Sequence, residues 1–299
     1  MSARSRFRLF KFPVKNQLHR FTRSKFGSFL FFAILISGGL FSVLPLVYCI
    51  TTSFKPLDEL LIFTPTLFTV KRPTIANYTA IPDLLSGLSV PITRYAFNSI
   101  FVSIIGTFLS VIISAMAAFV LSKTEMKFNR LIFTVVQFSL LFNAYTLSVP
   151  QYIVYSKIGI INTYLAYIVP AAASSMGVFL MKQYMDGYVP YALIEAAHID
   201  GAGWIGIFTR IVLPIVRPCV LTLVMFSFLG IWNSVPSGTI FSESLKTLPT
   251  VMSTIAAGGL ARSGSSMATS VILMIFPIAV YLISQGSIKE TMGSAGIKG

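Results

Sequence analysis

EAAHIDGAGWIGIFTRIVLP, residues 195–214, is a polar, glycine-containing stretch within a chain that is otherwise strongly apolar. Its spacing is a Glu-Ala-Ala triplet, three residues, a glycine, nine residues, an isoleucine, one residue, and then Leu-Pro. The residues at these positions are Glu195, Ala196, Ala197, Gly201, Ile211, Leu213 and Pro214. An isolated triplet would carry little information, whereas the complete spacing indicates a defined structural unit.

The residues around this stretch predict two short helices joined by glycines. Pro190 can open a helix over residues 189–200, and Gly201 and Gly203 end it. A second helix is expected from Trp204 to Leu213, with Pro214 ending it. The apolar residues of that second helix recur with helical spacing on one face, namely Trp204, Ile207, Phe208, Ile211 and Val212. We call this helix–glycine–helix segment, within residues 183–217, the elbow.

The composition outside the elbow indicates a membrane protein. Of the 299 residues, 55% are hydrophobic and only 11% are charged, with a mean hydropathy of +0.80. Soluble domains carry about 25% charged residues. Six apolar stretches are long enough to cross a bilayer, at about 27–50, 97–121, 131–153, 164–181, 218–235 and 267–284. The predicted fold is therefore an all-α, polytopic membrane protein with six transmembrane helices.

The positive charge is distributed as in a membrane protein with a cytoplasmic N-terminus. Eight of the 23 Lys and Arg residues lie in the arm 1–26, without an acidic residue, directly before the first span. The predicted cytoplasmic parts hold 16 basic residues in all, and the outer parts hold 7. This bias predicts that both termini and the elbow are cytoplasmic. It also argues against a nucleic-acid partner as the reason for the net charge of +14.

The six predicted spans contain no Asp, Glu, Lys, Arg or His. Carriers driven by protons usually need acidic residues or histidines within the membrane as relays. The spans therefore argue against a secondary carrier, which remains an alternative together with a channel. The two cysteines, Cys49 and Cys219, have no zinc or redox spacing, and no metal site is expected. No GxxxxGK[ST] sequence is present, so we expect no ATP hydrolysis by this chain alone.

The spacing in residues 195–214 resembles the EAA loop of the membrane subunits of bacterial ATP-driven importers, the ABC permeases. Six spans, with this loop between the fourth and the fifth, are similar to the carbohydrate-uptake branch, and most similar to the smaller permease of maltose- and oligosaccharide-type transporters. The ending MGSAGIKG, residues 292–299, resembles the tail of that subunit. The resemblance covers about residues 27–299, the importer transmembrane domain.

This resemblance implies an inner-membrane permease subunit that is not itself an enzyme and that works by alternating access. Its expected partners are a second, different permease, two copies of a cytoplasmic ATPase that uses ATP and Mg2+, and an extracytoplasmic solute-binding protein. The resemblance assigns coupling to the ATPase to Glu195, Ala196, Ala197, Asp200, Gly201, Ile211, Leu213 and Pro214. It also implies that the cytoplasmic tail 285–299 reaches the ATPase and that the outer loop 236–266 contacts the binding protein.

A carbohydrate path needs hydrogen-bonding side chains and aromatic rings within the spans. The candidates are Gln137, Asn143, Tyr145, Gln151, Tyr152, Trp232 and Asn233. Hydrogen bonding between membrane helices would explain each residue equally well. A small excess of basic residues on the outer side favours an acidic glycan such as a uronate, although solvated loop charge gives the same excess. A non-sugar solute carried by a permease of the same superfamily is the other alternative.

Overall fold

The computed structural model describes residues 25–62, 66, 68–86, 90–142, 144–235 and 238–295. Regular structure in this part is helical throughout, without a strand, as the sequence predicts. The predicted arm falls almost wholly outside the described residues. The chain divides into two compact units, Met1–Val47 and Tyr48–Gly299. The described part of the first unit is the beginning of helix α1, and every contact given below lies in the second.

The α-helices are α1 Lys25–Ser53, α2 Leu57–Leu60, α3 Ala76–Leu85, α4 Ile92–Lys123, α5 Asn129–Ser139, α6 Ala144–Ile158, α7 Leu165–Ala172, α8 Ser175–Tyr188, α9 Tyr191–Ile199, α10 Trp204–Ile207, α11 Leu213–Ile215, α12 Arg217–Trp232, α13 Leu248–Ala256 and α14 Ser263–Ala295. A π-helical turn, Phe208–Val212, joins α10 to α11. Short 3-10 turns cover Glu243–Leu245 and Leu260–Arg262.

Among the described residues, four helical stretches are long and apolar enough to cross a membrane: Gly27–Ser53, Ile92–Lys123, Leu165–Tyr188 and Ser263–Gln285. The pair Trp204–Ile215 and Arg217–Trp232, bent by 81°, gives a fifth if it is one broken span. The predicted span 131–153 is instead divided between α5 and α6, because the helix ends at Ser139 and restarts at Ala144. The structure therefore shows four or five membrane-capable stretches where the sequence predicts six.

Helix α4 is the central helix of the second unit and packs against α7, α8 and α12. One face of α4 carries small polar side chains that are buried, at Ser99, Ser103, Thr107, Ser110 and Ser114. Small residues let helix backbones approach closely in a membrane. At Gly177 of α8, an added Cβ would lie only 2.4 Å from the Ser114 hydroxyl oxygen. The α4–α8 contact therefore depends on the absence of a side chain at Gly177.

A second group of buried side chains surrounds α13. Four apolar side chains of this helix are at most 3% exposed and pack with α3 and α14, namely Leu248, Val251, Met252 and Ile255. The predicted loop 236–266 thus contains a buried helix, since its apolar residues recur at i, i+3, i+4 and i+7. Asn98 of α4 fixes the segment before α13 by donating to the carbonyls of Ser244 and Lys246, at 2.8 and 2.9 Å.

Candidate functional site: the elbow and a cavity in the helix bundle

The first helix of the elbow ends in a glycine turn with a complete hydrogen-bond pattern. Gly201 has φ +81°, and its N–H donates to the carbonyl of His198 at 3.0 Å. The N–H of Ala202 donates to the carbonyl of Ala197 at 2.9 Å. These two bonds form a Schellman motif, in which the residue at the Gly201 position adopts the left-handed conformation. The predicted break at Gly201 is confirmed, and its physical cause is the backbone conformation.

The second helix of the elbow continues past Pro214, and the prediction that it ends there is wrong. It passes through the π-helical turn Phe208–Val212 and ends at Ile215. Within this turn the N–H of Leu213 donates to the carbonyl of Phe208, five residues earlier. A proline in a regular α-helix clashes with the carbonyl four residues before it. In the wider π turn this clash does not arise, so the helix does not bend at Pro214. The sharp bend falls between α11 and α12.

One face of the elbow is packed against the helix bundle. Ile194, Ala197, Ile207 and Val212 are buried, together with side chains of α4, α8 and α12. Phe208 and Ile211 are half-buried at the edge of the same cluster, as the helical periodicity predicts. This packing fixes the elbow to the ends of three bundle helices, so a displacement of the elbow strains all three contacts.

The opposite face of the elbow is exposed. It carries Glu195, Ala196 and Asp200, as well as two large apolar side chains, Ile199 and Ile205, which are 86% and 81% exposed. Exposed apolar side chains beside polar groups are typical of a protein interaction surface. Of the remaining residues assigned to coupling by the sequence, Ala197 faces the chain's own core, Leu213 is half-buried and Pro214 is exposed.

Aromatic contacts that the sequence did not predict connect the two helices of the elbow to α4. The ring of His198 in α9 lies edge-on to Trp204 of α10, with centroids 4.4 Å apart. Trp204 and Phe208 both contact Phe119 of α4, at 6.0 and 5.3 Å. The only sequence signal for this cluster is aromatic enrichment around the glycine turn, which does not identify the partner helix.

A cavity of about 600 Å³ lies between α4, α6, α7, α8 and α12. The described residues that line it are uncharged and combine hydroxyl groups, one amide and aromatic rings. The polar and aromatic lining residues are Ser110, Ser148, Gln151, Tyr152, Tyr155, Tyr167, Ser174, Phe226, Ser227, Ser234 and Thr239. Ser110 and Ser227 are hydrogen-bonded to each other across α4 and α12 at 3.1 Å. Such a wall offers hydrogen bonds and ring faces to a polyhydroxylated molecule.

The structure brings two of the predicted path residues, Gln151 and Tyr152, into this cavity. Gln151 donates a hydrogen bond to the Tyr155 hydroxyl. Tyr155, Tyr167 and the serines were missed, because a lone serine in an apolar segment carries no distinctive spacing.

The other path candidates lie elsewhere or outside the described residues. Trp232 is 2% exposed, and its indole N–H donates to the Leu273 carbonyl at 3.2 Å, a bond between two helices. Asn233 is exposed and donates to the Leu229 carbonyl at 3.0 Å. Gln137 is exposed on α5, away from the cavity lining. Asn143 lies outside the described residues, as does the side chain of Tyr145.

Comparison with known proteins finds relatives that are named as transport-system permeases. No protein-family model matches the chain. The chain is 33% identical over 207 residues to protein LplC of Bacillus subtilis, a match covering 67% of the chain and 65% of LplC. It is 28% identical over 276 residues to the sulfoquinovosyl glycerol transport system permease protein SmoH of Agrobacterium fabrum, covering 91% of the chain and 93% of SmoH.

The fold is also similar to that of a solved structure. The crystal structure of a bacterial ABC transporter involved in the import of the acidic polysaccharide alginate contains a chain that matches with a TM-score of 0.70 at 18% identity. The match covers 88% of this chain and 98% of that one. This match concerns the fold, while the relatives, which are named as transport-system permease proteins, define the class: a non-catalytic permease subunit. The chain is thus similar to the permease subunits of carbohydrate-uptake ABC transporters.

Proposed function

We propose that this chain forms half of the translocation path of a binding-protein-dependent, ATP-driven importer for a carbohydrate. The observation that carries the proposal is the elbow, with one face packed on the bundle and the other exposed. A conformational change of a cytoplasmic ATPase can displace such a segment, and the segment can transmit this displacement to the helices around the cavity. Several relatives are named as permeases for oligosaccharides, which supports the substrate class.

The proposed topology has six spans with both termini in the cytoplasm. The four or five membrane-capable stretches become six when α5 and α6 are counted together as a third, broken span and α12 as the fifth. A broken helix is tolerated within a membrane where it lines a cavity, and α6 lines the one described above. The bias of basic residues towards one side supports this orientation. Residues 1–26 are then a basic cytoplasmic arm, and residues 285–299 a cytoplasmic tail.

In this arrangement the exposed face of the elbow docks on the ATPase. Glu195 can pair with a basic side chain across the interface, while Ala196 permits close approach. Gly201, Ile211, Leu213 and Pro214 set the shape and packing of the elbow. The complex contains a second, different permease, two ATPase copies that bind ATP and Mg2+, and an extracytoplasmic binding protein.

The cavity favours a carbohydrate by its chemistry. Hydroxyl and amide groups match sugar hydroxyls, and the Tyr152 and Phe226 rings offer faces for stacking. Among the described residues, none that lines the cavity is cationic. A uronate carboxylate in this cavity would therefore need a positive charge from the partner permease, because an unpaired buried charge is strongly destabilised.

Reconstitution of the complex in liposomes tests the proposal. We expect ATP-dependent uptake that requires the binding protein and that is observed with oligosaccharides but not with amino acids or polyamines. A panel of neutral oligosaccharides and matched uronate oligomers would define the charge of the substrate. Uptake driven by a proton gradient without ATP would instead establish the secondary carrier.

A further inference from the structure

A buried lysine joins α4 to the start of the elbow. Lys123, the last residue of α4, is 4% exposed. Its Nζ donates to the carbonyl oxygen of Val189 at 2.7 Å and lies 5.3 Å from the ring centroid of Tyr191. Val189 is itself 2% exposed and connects α8 to α9, between the C-terminus of one helix and the proline that precedes the other. One ammonium group thus contacts the joint on both sides of Pro190.

Neighbouring side chains strengthen the same junction. The Ser122 hydroxyl donates to Oδ1 of Asp186 in the last turn of α8, at 2.5 Å. Lys182 pairs with Oδ2 of the same carboxylate at 2.6 Å, and its Nζ lies 4.3 Å from the ring centroid of Phe133 in α5. Among the described residues, the charged groups that act on Lys123 are Asp186 and Lys182, both on α8. The last turn of α4 is fixed to the end of α8 and to the joint that follows it.

A buried ammonium group is costly unless it is well partnered. If this position only had to be filled, an apolar residue would fill it without burying a charge. The Lys123–Val189 bond differs from apolar packing in being directional. It holds one backbone carbonyl at a fixed distance from the end of a long, continuous helix. That helix also carries Ser110, which lines the cavity about 20 Å away along the helix axis.

We propose that Lys123 is a positioning residue that transmits displacement of the elbow into α4 and so to the cavity wall. The proposal rests on the proposed function, since it requires that the elbow is the segment moved by the ATPase. When the elbow is displaced, the Val189 carbonyl draws the end of α4 with it. Without the Nζ donor, displacement of the elbow reaches α4 only through apolar and aromatic packing, which is not directional, so the cavity wall follows it less closely. The complex then hydrolyses ATP without a matching transport step.

The test uses the complete complex in liposomes and compares Lys123→Met with wild type. Methionine retains most of the length and the apolar stem but has no donor. We expect normal assembly and binding-protein-stimulated ATP hydrolysis, with the amount of substrate imported per ATP hydrolysed reduced roughly tenfold. Lys123→Arg keeps a donor and should recover a large part of that ratio. Lys127→Met, at an exposed lysine in the loop after α4, is the matched control and should behave as wild type.

The possible outcomes distinguish failure of the Lys123 proposal from failure of the proposed importer function. If wild type shows no ATP-driven uptake, the proposed function fails and this inference fails with it. If wild type transports and Lys123→Met retains the same import per ATP, only the role of Lys123 is overturned. If Lys123→Met does not assemble, Lys123→Arg becomes the deciding variant: an assembled Lys123→Arg complex with reduced import per ATP would show a structural role and would also overturn the proposal.

Discussion

The backbone N–H of Ala202 donates to the carbonyl of Ala197 at 2.9 Å, and this bond turns the chain from one helix of the elbow towards the next. Ala197 is buried and Ala202 packs against the same cluster, so the turn is fixed on both sides. The intervening Gly201 has φ +81°. The orientation of the exposed face that carries Glu195 therefore depends on one backbone conformation.

Gly201→Ala should weaken coupling by straining this turn. An added Cβ would meet nothing within 4 Å, so the effect is conformational, costing about 1–2 kcal/mol in the left-handed region. Gly203→Ala is the matched control, because Gly203 is equally open but has φ −74°. We expect binding-protein-stimulated ATPase activity to fall for Gly201→Ala and to be retained for Gly203→Ala. Equal activities of the two variants would contradict the role of the turn.

Glu195→Lys should abolish coupling while leaving membrane insertion intact. The side chain is exposed on the face proposed to dock on the ATPase, and charge reversal there replaces attraction with repulsion. We expect ATPase binding to weaken by roughly thirtyfold or more, as measured by co-purification and titration. Glu125→Lys, at another exposed acid in the loop after α4, should bind normally. Transport at the wild-type rate by Glu195→Lys would show that Glu195 is not part of the interface with the ATPase.

Gly177→Ala should destabilise the bundle. The new Cβ would lie 2.4 Å from the Ser114 hydroxyl oxygen and 3.0 Å from its Cβ, so the Ser114 side chain must rotate and the two helices must move slightly apart. Overpacking of this kind costs about 1–3 kcal/mol. Gly187→Ala, in the same helix with open space around it, should leave thermal stability in detergent unchanged or slightly increased. The Ser114→Gly change should restore the stability of Gly177→Ala, and a double variant as unstable as the single one would refute this contact.

Gln151→Ala should reduce the apparent affinity for substrate, because Gln151 lines the cavity. Loss of one hydrogen bond would raise the half-saturating concentration for uptake by about threefold to tenfold. Asn233→Ala is the informative comparison, since the sequence nominates both residues but the structure places Asn233 outside the cavity lining. A larger effect at Asn233 than at Gln151 would show that substrate follows another route.

Much of the architecture could be predicted from local sequence. The helical class follows from long apolar stretches, and the glycine turn at Gly201 follows from the residue itself. The packed face of the second elbow helix is visible in the spacing of Ile207, Ile211 and Val212, since one side of that helix is polar. The path residues were predicted less well, because a polar side chain in a span bonds equally well to a neighbouring helix or to a substrate.

Sequence alone therefore determined the helical membrane class of this protein, the place of the elbow and its division at Gly201. Tertiary structure decided that Ala197 faces the core, that Trp232 bonds to Leu273 and that the cavity is walled by serines and tyrosines. The physical reason is that a helix apolar on all sides has no periodic signal for its packed face. Only the neighbouring helices determine which of its side chains meet a partner and which meet the cavity.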